Sequence, residues 1–359
     1  MQYLVPFLLS FFGAVFLTGV FRRLGIKHKL VSAPRARDIH KKPVPRIGGP
    51  AIFISFLVVS ILFLVFSSRY GAGIDKHVVG IWTGSLIICG SMLIDDIRGL
   101  KPIQKFIFQF LAVVAIISSG IGIETLPNLL GGEPLNLNAI YIPIFTFNGI
   151  VYHFSLWSDL LTLVWLVGMM NVINFVDGVD GLAGGVSFIG VMTIFFLSIN
   201  LMLPQPQTAL LAITLAGATA GFLVWNFPPA KIFMGDSGSM LLGFILGALT
   251  IVSGGKLATV FLVMGFFIID GIIVVIGRLI RGENPFTTPD KTHLHHRFLS
   301  AGFTPKQAVI SLYIISTGFA WVALRSSTQN KMIAAGILVI LVILLTLILR
   351  QIRISREQK

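Results

Sequence analysis

The chain has 359 residues, of which 55% are hydrophobic and only 11% are charged. Soluble domains carry about 25% charged residues, so this composition excludes a soluble globular protein, a disordered chain and a secreted disulfide scaffold. The 27 Lys and Arg residues outnumber the 14 Asp and Glu residues, which gives a formal net charge of +13. In a polytopic membrane protein such an excess marks the cytoplasmic loops rather than nucleic-acid binding. The single cysteine, Cys89, leaves no internal disulfide.

Eleven apolar stretches are long enough to cross a bilayer, and we predict a transmembrane helix at each one. In chain order they cover residues 3–21, 47–66, 78–94, 106–123, 156–173, 186–203, 209–225, 238–252, 257–276, 308–324 and 332–349. The eighth stretch is short and rich in glycine. No basic region precedes the first stretch, whereas Arg22 and Arg23 follow it, which favours a retained anchor over a cleaved signal peptide. We therefore expect an all-α integral membrane protein with one domain, residues 1–359.

The distribution of basic residues predicts the orientation of the chain. If the N-terminus lies outside, 22 of the 27 Lys and Arg residues fall in inside segments, and the longest outside loop, residues 124–155, has none. The five outside basic residues are Arg69, Lys76, Lys256, Arg325 and Lys331. The positive-inside rule thus favours eleven spans with the N-terminus out and the C-terminus in.

Polar residues collect in five clusters, each of which directly follows an odd-numbered span. Alternation of the spans therefore places all five clusters on the cytoplasmic face. They are residues 40–49 with Lys41, Lys42 and Arg46; Asp95 and Asp96; residues 171–181 with Asn171, Asn174, Asp177 and Asp180; residues 233–239 with Phe233 and Asp236; and residues 290–297 with His293, His295, His296 and Arg297.

The residue types in these clusters suit a diphosphate bound to a divalent cation. Ionisable groups at a membrane boundary are costly unless they are paired or used. Carboxylate oxygens bind Mg²⁺, which is usually shared with substrate phosphates, while Lys, Arg and His neutralise the remaining phosphate charge. Glycines let the backbone approach a ligand closely. We predict a cytosolic pocket at headgroup depth, which could join a soluble nucleotide donor to a lipid acceptor.

At these residues the chain resembles the polyprenyl-phosphate N-acetylhexosamine-1-phosphate transferases, glycosyltransferase family 4. The resemblance spans all five clusters, from about residue 40 to residue 302. Residues 293–297, His-Leu-His-His-Arg, are similar to the bacterial GlcNAc-1-phosphate transferases of the WecA/TagO type. The phospho-MurNAc-pentapeptide transferases, the alternative branch, typically have three consecutive histidines followed by Leu-Glu, and they usually have ten spans rather than eleven.

The resemblance implies a reaction, a cofactor and a location. GlcNAc-1-phosphate would pass from UDP-GlcNAc to undecaprenyl phosphate with release of UMP, and the product would start a lipid-linked glycan such as O-antigen or a teichoic-acid linkage unit. Family members need Mg²⁺ or Mn²⁺ and lie in the bacterial cytoplasmic membrane as multi-pass proteins. A related UDP-N-acetylhexosamine donor stays open, as does a homodimer.

The same resemblance assigns the metal and the acceptor side of the site. Asp236 and Asn174 match the metal site; the alternatives are a helix-capping Asp236 and an interhelical hydrogen bond from Asn174. Asp95 and Asp96 match an acceptor-side role, with an acidic helix end paired to Lys105 as the alternative. Lys105 matches a lysine near the substrate phosphates, and its alternative is a side chain that snorkels to the interface.

The donor side is assigned in the same way. Asp177 and Asp180 match the segment that lines the nucleoside pocket, where Asp180 would bind the uracil edge; Asx-turns beside the glycines are the alternative for the two acids. Asn171 is predicted to bind substrate. Phe233 matches an aromatic that stacks on uracil, or else it faces lipid.

Basic residues complete the predicted donor side. His293, His295, His296 and Arg297 would contact phosphate and GlcNAc, rather than zinc or solvent alone. Lys41 and Lys42 are nucleotide contacts or ordinary positive-inside charges. Asp270 also matches the family, but a kink or a buried hydrogen bond is favoured there over catalysis.

Two mechanisms and two other function classes remain to be compared. The lipid phosphate can attack the β-phosphorus of the donor directly, or an aspartyl-phosphate intermediate can form first. A secondary transporter would need a site near the bilayer midplane between repeats, where Asp270 is the only clearly intramembrane acid. A lipid scaffold without catalysis would not explain so many converging phosphate ligands.

Overall fold

The computed structural model describes residues 2–32, 43–70, 74–126, 128, 133–147, 150–200, 204–254, 257–282 and 294–357. Helices dominate these residues, as expected for an all-α membrane protein. They are α1 Leu4–Lys27, α2 Gly49–Phe66, α3 Lys76–Arg98, α4 Pro102–Ser118, α5 Leu156–Val176, α6 Leu182–Ile199, α7 Pro206–Asn226, α8 Gly235–Val252, α9 Leu257–Ile280, α10 Leu294–Ser300, α11 Pro305–Arg325 and α12 Thr328–Glu357.

Ten of the described helices are at least 18 residues long and apolar enough to cross a membrane. The remaining apolar helix, α4, has 17 residues and spans about 26 Å at 1.5 Å per residue. These eleven helices correspond one for one with the predicted spans, so the all-α membrane fold is confirmed. Helix α4 ends before the predicted boundary at Ile123, because Gly120 takes a φ of +81° that breaks the helix.

The central helix of the bundle is α8, the span whose sequence signal was weakest. Every residue from Gly235 to Ile251 is buried, and the helix packs against α2, α3, α5 and α6. Its glycines permit this close packing: a Cβ atom at Gly243 would overlap the backbone of Met169 and Met170 on α5. The helix begins at Gly235, three residues before the predicted start, so that Asp236 lies within its first turn.

Three small antiparallel pairs of strands complete the described fold. Strand β1 (Val31–Ser32) pairs with β2 (Val44–Pro45), just before α2, and β3 (Thr125–Leu126) pairs with β4 (Leu135–Asn136). Strands β5 (Tyr141–Phe147) and β6 (Ile150–Ser155) form a hairpin with an irregularity between Pro143 and Phe145. This hairpin occupies the predicted outside loop, for which the sequence analysis had proposed no structure.

Candidate active site

Four segments from three distant parts of the sequence meet at one end of the helix bundle. They are the C-terminal end of α3, the N-terminal ends of α4 and α8, and the loop that links β2 to α2. Together they bring three carboxylates, Asp95, Asp96 and Asp236, against two cations, Arg46 and Lys105.

Asp236 is bound by a cation on each of its carboxylate oxygens. Arg46 Nη2 donates to Oδ1 at 2.6 Å, and Lys105 Nζ donates to Oδ2 at 2.7 Å. The residue is only 6% exposed. Burying a charge this deeply is tolerated because both partners are charged and hydrogen-bonded to it.

Asp95 joins the same network through Lys105. The Lys105 ammonium lies 2.6 Å from Asp95 Oδ2, and the backbone N–H of Leu100 donates to Asp95 Oδ1 at 2.6 Å. The structure therefore shows the ion pair with Lys105 that was the alternative role of Asp95. Because the same ammonium also binds Asp236, Lys105 connects α3, α4 and α8.

Asp96 caps the N-terminal end of α8 from another helix. Its Oδ1 accepts the backbone N–H of Asp236 at 2.9 Å, and its Oδ2 accepts that of Ser237 at 3.1 Å. Arg46 Nε lies 3.7 Å from Oδ1. Free N–H groups in the first turn of a helix favour an anion, so Asp96 supplies the cap that was considered as the alternative role of Asp236.

Gly235 allows this cap to form. Its φ is +71°, a conformation that residues with a Cβ atom rarely adopt. A Cβ atom here would also overlap Asp96 Oδ2 and the Arg46 carbonyl oxygen. The glycine is therefore required both by the turn and by the close approach of two chain segments.

Backbone hydrogen bonds fix the β2–α2 loop against the segment that leads into α8. The Phe233 N–H donates to the Pro45 carbonyl at 2.8 Å, and the Gly48 N–H donates back to the Phe233 carbonyl at 3.0 Å. The Gly49 N–H donates to the Met234 carbonyl at 2.8 Å. The position of Phe233 is thus set by its backbone, while its stacking role stays a prediction.

Asn174 and Asn171 lie on α5, beside the first turns of α8. Asn174 Nδ2 donates to Ser239 Oγ at 3.0 Å, which is the interhelical hydrogen bond kept as its alternative role. Asn171 Nδ2 donates to Gln109 Oε1 at 3.2 Å and to the Val167 carbonyl at 2.8 Å. Metal binding by Asn174 and substrate binding by Asn171 remain predictions.

The segment after α5 is held to the α7–α8 connection. Asp180 Oδ2 accepts the Ala230 N–H at 2.9 Å, and Asn226 Oδ1 accepts the Gly181 N–H at 3.0 Å. Asn226 also donates to the Ile232 carbonyl at 2.9 Å. These contacts place Asp180 beside the connection that carries Phe233, as a shared nucleoside pocket would require.

Asp177 belongs electrostatically to the carboxylate cluster. Burial raises the pKa of Asp177 well above its usual value. Arg46 opposes this increase, whereas the carboxylates of Asp236, Asp96 and Asp180 add to it. Asp177 therefore binds a proton more readily than a free aspartate does.

The three clustered carboxylates also fit a divalent cation. One oxygen each of Asp95, Asp96 and Asp236 can be chosen so that all three lie within 4.8 Å of one another. Hard oxygen ligands at this spacing, at the edge of an apolar bundle, are the donor set that Mg²⁺ and Mn²⁺ accept.

Several predicted residues lie partly or wholly outside the described part of the chain. Lys41 and His293 are outside it, and the side chains of His295 and His296 are not described although their backbone lies in α10. The Leu294 N–H donates to both carboxylate oxygens of Asp270 at 3.1 Å. The buried hydrogen-bond role favoured for Asp270 is confirmed, and it holds the start of α10, the helix that carries Arg297, against α9.

Arg46 is the main residue that the sequence analysis did not single out. The sequence pattern in residues 40–49 predicts a substrate contact for Lys41, whereas the structure places Arg46 against Asp236. The available signal was its place next to the predicted start of the second span, which makes it the basic residue nearest the membrane. Gln109 and Ser239 were also missed because they lie inside predicted spans, where polar residues usually make only structural hydrogen bonds.

Comparison with known proteins identifies the family. Residues 78–254 match the model of glycosyl transferase family 4. The "Probable undecaprenyl-phosphate N-acetylglucosaminyl 1-phosphate transferase" of Bacillus subtilis strain 168 is 30% identical over 96% of this chain and 90% of its own length. The decaprenyl-phosphate N-acetylglucosaminephosphotransferase of Mycolicibacterium smegmatis is 34% identical over 93% of this chain and 85% of its own length.

A relative from the other branch is similar as well. The phospho-N-acetylmuramoyl-pentapeptide-transferase of Pelobacter propionicus is 29% identical over 80% of this chain and 81% of its own length. Nearly full-length similarity at 30% identity or more is found with the N-acetylglucosamine phosphotransferases. The chain therefore belongs to glycosyl transferase family 4, as a membrane phosphotransferase of the polyprenyl-phosphate GlcNAc-1-phosphate transferase type.

Proposed function

We propose that this protein transfers GlcNAc-1-phosphate from UDP-GlcNAc to undecaprenyl phosphate and releases UMP. The observation that carries the proposal is the meeting of Asp95, Asp96, Asp236, Arg46 and Lys105, from three separate parts of the chain, at one end of the bundle. Opposite charges gathered at the end of an apolar bundle suit a ligand that combines phosphate with a cation. The family relatives named above support a polyprenyl phosphate as acceptor.

The charged residues would orient and neutralise the reacting phosphates. Arg46 and Lys105 offer N–H donors to the donor diphosphate, and Asp180 lies beside the segment that leads to Phe233, where a nucleoside would bind. The acceptor phosphate has a second pKa of about 6 and is mostly dianionic at neutral pH. Its oxygen can therefore attack the β-phosphorus directly, with positioning and charge neutralisation rather than proton removal as the main contribution.

Asp236, together with the carboxylates of Asp95 and Asp96, would hold the Mg²⁺ or Mn²⁺, with Asn174 as a further oxygen donor nearby. When bound, such an ion supplies charge neutralisation at the diphosphate as UMP departs. The residues that hold it come from α3 and α8, so the geometry depends on the Asp96 cap at the start of α8.

We further propose that the site faces the cytoplasm of a bacterium, in its inner membrane. The bias of Lys and Arg toward the segments that carry the site supports this orientation. UDP-sugars are cytosolic, so a donor pocket at this face has direct access to them. The product would then begin a lipid-linked glycan of the cell envelope.

The test is UMP release by the purified protein in detergent, with UDP-GlcNAc and Mg²⁺, in the presence and absence of undecaprenyl phosphate. We expect UMP only when the acceptor is present, together with a lipid-linked GlcNAc diphosphate. UDP-GalNAc and UDP-MurNAc-pentapeptide serve as competing donors in parallel reactions. Preference for the pentapeptide donor would overturn the GlcNAc assignment in favour of the other branch, and absence of acceptor-dependent UMP from every donor would contradict the transferase proposal.

A second measurement separates the two mechanisms. Enzyme incubated with radiolabelled UDP-GlcNAc but without acceptor should carry no covalent label after denaturation if attack is direct. A stable phosphosugar adduct on an aspartate would contradict direct attack and support the two-step route.

A further inference from the structure

Backbone contacts hold Arg46 close to the start of α8, the helix that carries Asp236. Its own N–H donates to the Leu30 carbonyl at 3.3 Å, and its neighbour Pro45 accepts the Phe233 N–H at 2.8 Å. Its carbonyl oxygen lies against Gly235, where no Cβ atom would fit. These contacts fix the backbone of Arg46 beside the start of α8, within reach of Asp236.

The contacts of the Arg46 side chain differ from those of Lys105. The Arg46 guanidinium reaches Asp236 at 2.6 Å and Asp96 at 3.7 Å, yet its side chain is 48% exposed, compared with 26% for Lys105. Arg46 thus binds a buried carboxylate from the solvent side. It can leave Asp236 with little rearrangement, because nearly half of its side chain is already exposed.

The charge of the cluster makes such a departure useful. Three carboxylates face two cations, so the described cluster keeps one net negative charge. A divalent cation that approaches Asp236 meets a carboxylate whose oxygens are both occupied by nitrogen donors. Each oxygen keeps a second lone pair, but a metal ion and a cationic nitrogen donor repel each other at this short distance. Metal binding therefore favours displacement of the more exposed cation, Arg46, whose guanidinium is a bidentate donor well matched to a diphosphate.

We propose that Arg46 is an exchangeable counter-cation of this site. It holds Asp236 in the absence of ligand, yields that carboxylate to the divalent cation, and then binds the diphosphate of the incoming nucleotide. The proposal rests on the metal site of the proposed function. It makes Arg46 a substrate-binding residue whose removal changes the affinities for the metal and for the nucleotide in opposite directions.

The test uses the purified, chelator-treated full-length protein and two probes, Mn²⁺ followed by electron paramagnetic resonance and UDP followed by calorimetry at saturating Mn²⁺. For Arg46→Gln we expect Mn²⁺ to bind about fivefold more tightly, because a competing cation is lost. We expect UDP to bind about tenfold more weakly, because a charged donor to phosphate is lost. Arg46→Lys should fall between wild type and Arg46→Gln for both probes.

Arg98→Gln is the matched control for net charge. Arg98 is exposed in the last turn of α3, two residues after Asp96, and makes no ion pair with the described residues. Removing its charge should leave both affinities within about twofold, since exposed charges are largely screened. A long-range charge effect would instead change Arg98→Gln as much as Arg46→Gln, which would overturn the proposal.

Two other results are informative. If Arg46→Gln leaves Mn²⁺ affinity unchanged, or weakens Mn²⁺ and UDP together, the counter-cation role is wrong and Arg46 only supports the fold. If the wild-type protein binds no Mn²⁺ while it retains UDP, the metal site of the proposed function fails, and this inference fails with it for a separate, visible reason.

Discussion

The two ends of the central helix α8 differ in how their charges are satisfied. At the N-terminal end, ion pairs join residues that are far apart in the sequence, such as Arg46 to Asp236 and Lys105 to Asp236. Near the C-terminal end, a cavity of about 320 Å³ is lined by His77, Val252 and Gly254, and His77 pairs with Asp75 only two residues away, partly in solvent. At the first end, ion pairs connect separate segments of the chain. At the second end, Asp75 caps α3 and contacts a residue of the same helix.

The glycines that flank α8 show the same contrast. Gly235 and Gly254 both have a positive φ, +71° and +91°. A Cβ atom at Gly235 would overlap the atoms of two other segments, whereas one at Gly254 would have nothing within 4 Å. The comparison indicates that the N-terminal end is built for a close assembly of segments, and the C-terminal end for a simple exit from the helix.

Asp236→Ala is expected to give the largest effect and thus the sharpest contrast between the two ends. Activity should fall about 100- to 1,000-fold or more, as when a group that stabilises the transition state is removed. The protein should still fold, since Lys105 still pairs with Asp95 and Arg46 still pairs with Asp96. UMP release and thermal unfolding measure the two quantities. The control Asp75→Ala, at the other end, should stay within about twofold of wild-type activity.

Substitution of the two flanking glycines is the next test. Gly254→Ala forces a left-handed conformation on alanine, at about 1–2 kcal/mol. Gly235→Ala adds overlap with Asp96 and Arg46, which raises the total cost by about 1–3 kcal/mol. We expect Gly235→Ala to lower the thermal midpoint further and to lose most activity, whereas Gly254→Ala keeps its activity. Equal shifts for the two variants would mean that the close assembly at Gly235 contributes nothing.

Removal of the Asp96 cap should destabilise the protein by a smaller amount. Asp96→Ala leaves the backbone N–H groups of Asp236 and Ser237 without their acceptor, at about 1–3 kcal/mol. Asp96→Asn keeps one acceptor oxygen and should lose roughly half as much. Thermal unfolding in detergent follows both variants. A stability of Asp96→Ala equal to that of wild type would show that the first turn of α8 does not depend on α3.

The smallest predicted effect concerns pH. Because the pKa of Asp177 is raised in the folded protein, its protonated form stabilises the fold, and this stability is lost as pH rises through the folded pKa. Asp177→Asn cannot ionise, so it should unfold at a higher temperature than wild type in alkaline buffer and at the same temperature near pH 4. A difference that grows toward acidic pH would contradict the sign of this shift.

Much of the fold could be predicted from the sequence because the apolar stretches set the helices. The limits of α4 and α8 could not, since they depend on capping. Pro102 and Gly120 bound α4, and α8 begins early because Asp96, a residue of another helix, satisfies its first N–H groups. By itself the sequence Gly-Asp-Ser-Gly is typical of a polar turn. It forms the first turn of a helix here because Asp96, far away in the sequence, accepts its N–H groups.

The site was predicted in part for the same reason. The sequence predicts that four of the site residues lie together, and they do: Asp95, Asp96, Lys105 and Asp236. They meet because the helix ends that carry them lie at the same end of the bundle. Arg46 could not be ranked above the other basic residues near it, because backbone contacts with Leu30 and with the Phe233 segment set its place. These backbone contacts cannot be predicted from the sequence around Arg46.

The most direct test of the account is a crystal structure of the protein with UDP and Mn²⁺. We predict an anomalous difference peak for Mn²⁺ about 2.1 Å from a carboxylate oxygen of Asp236, the distance typical of a small divalent cation. The diphosphate of UDP should contact the same ion. Ordered UDP at another place, or a peak that does not touch the Asp95, Asp96 and Asp236 cluster, would contradict it.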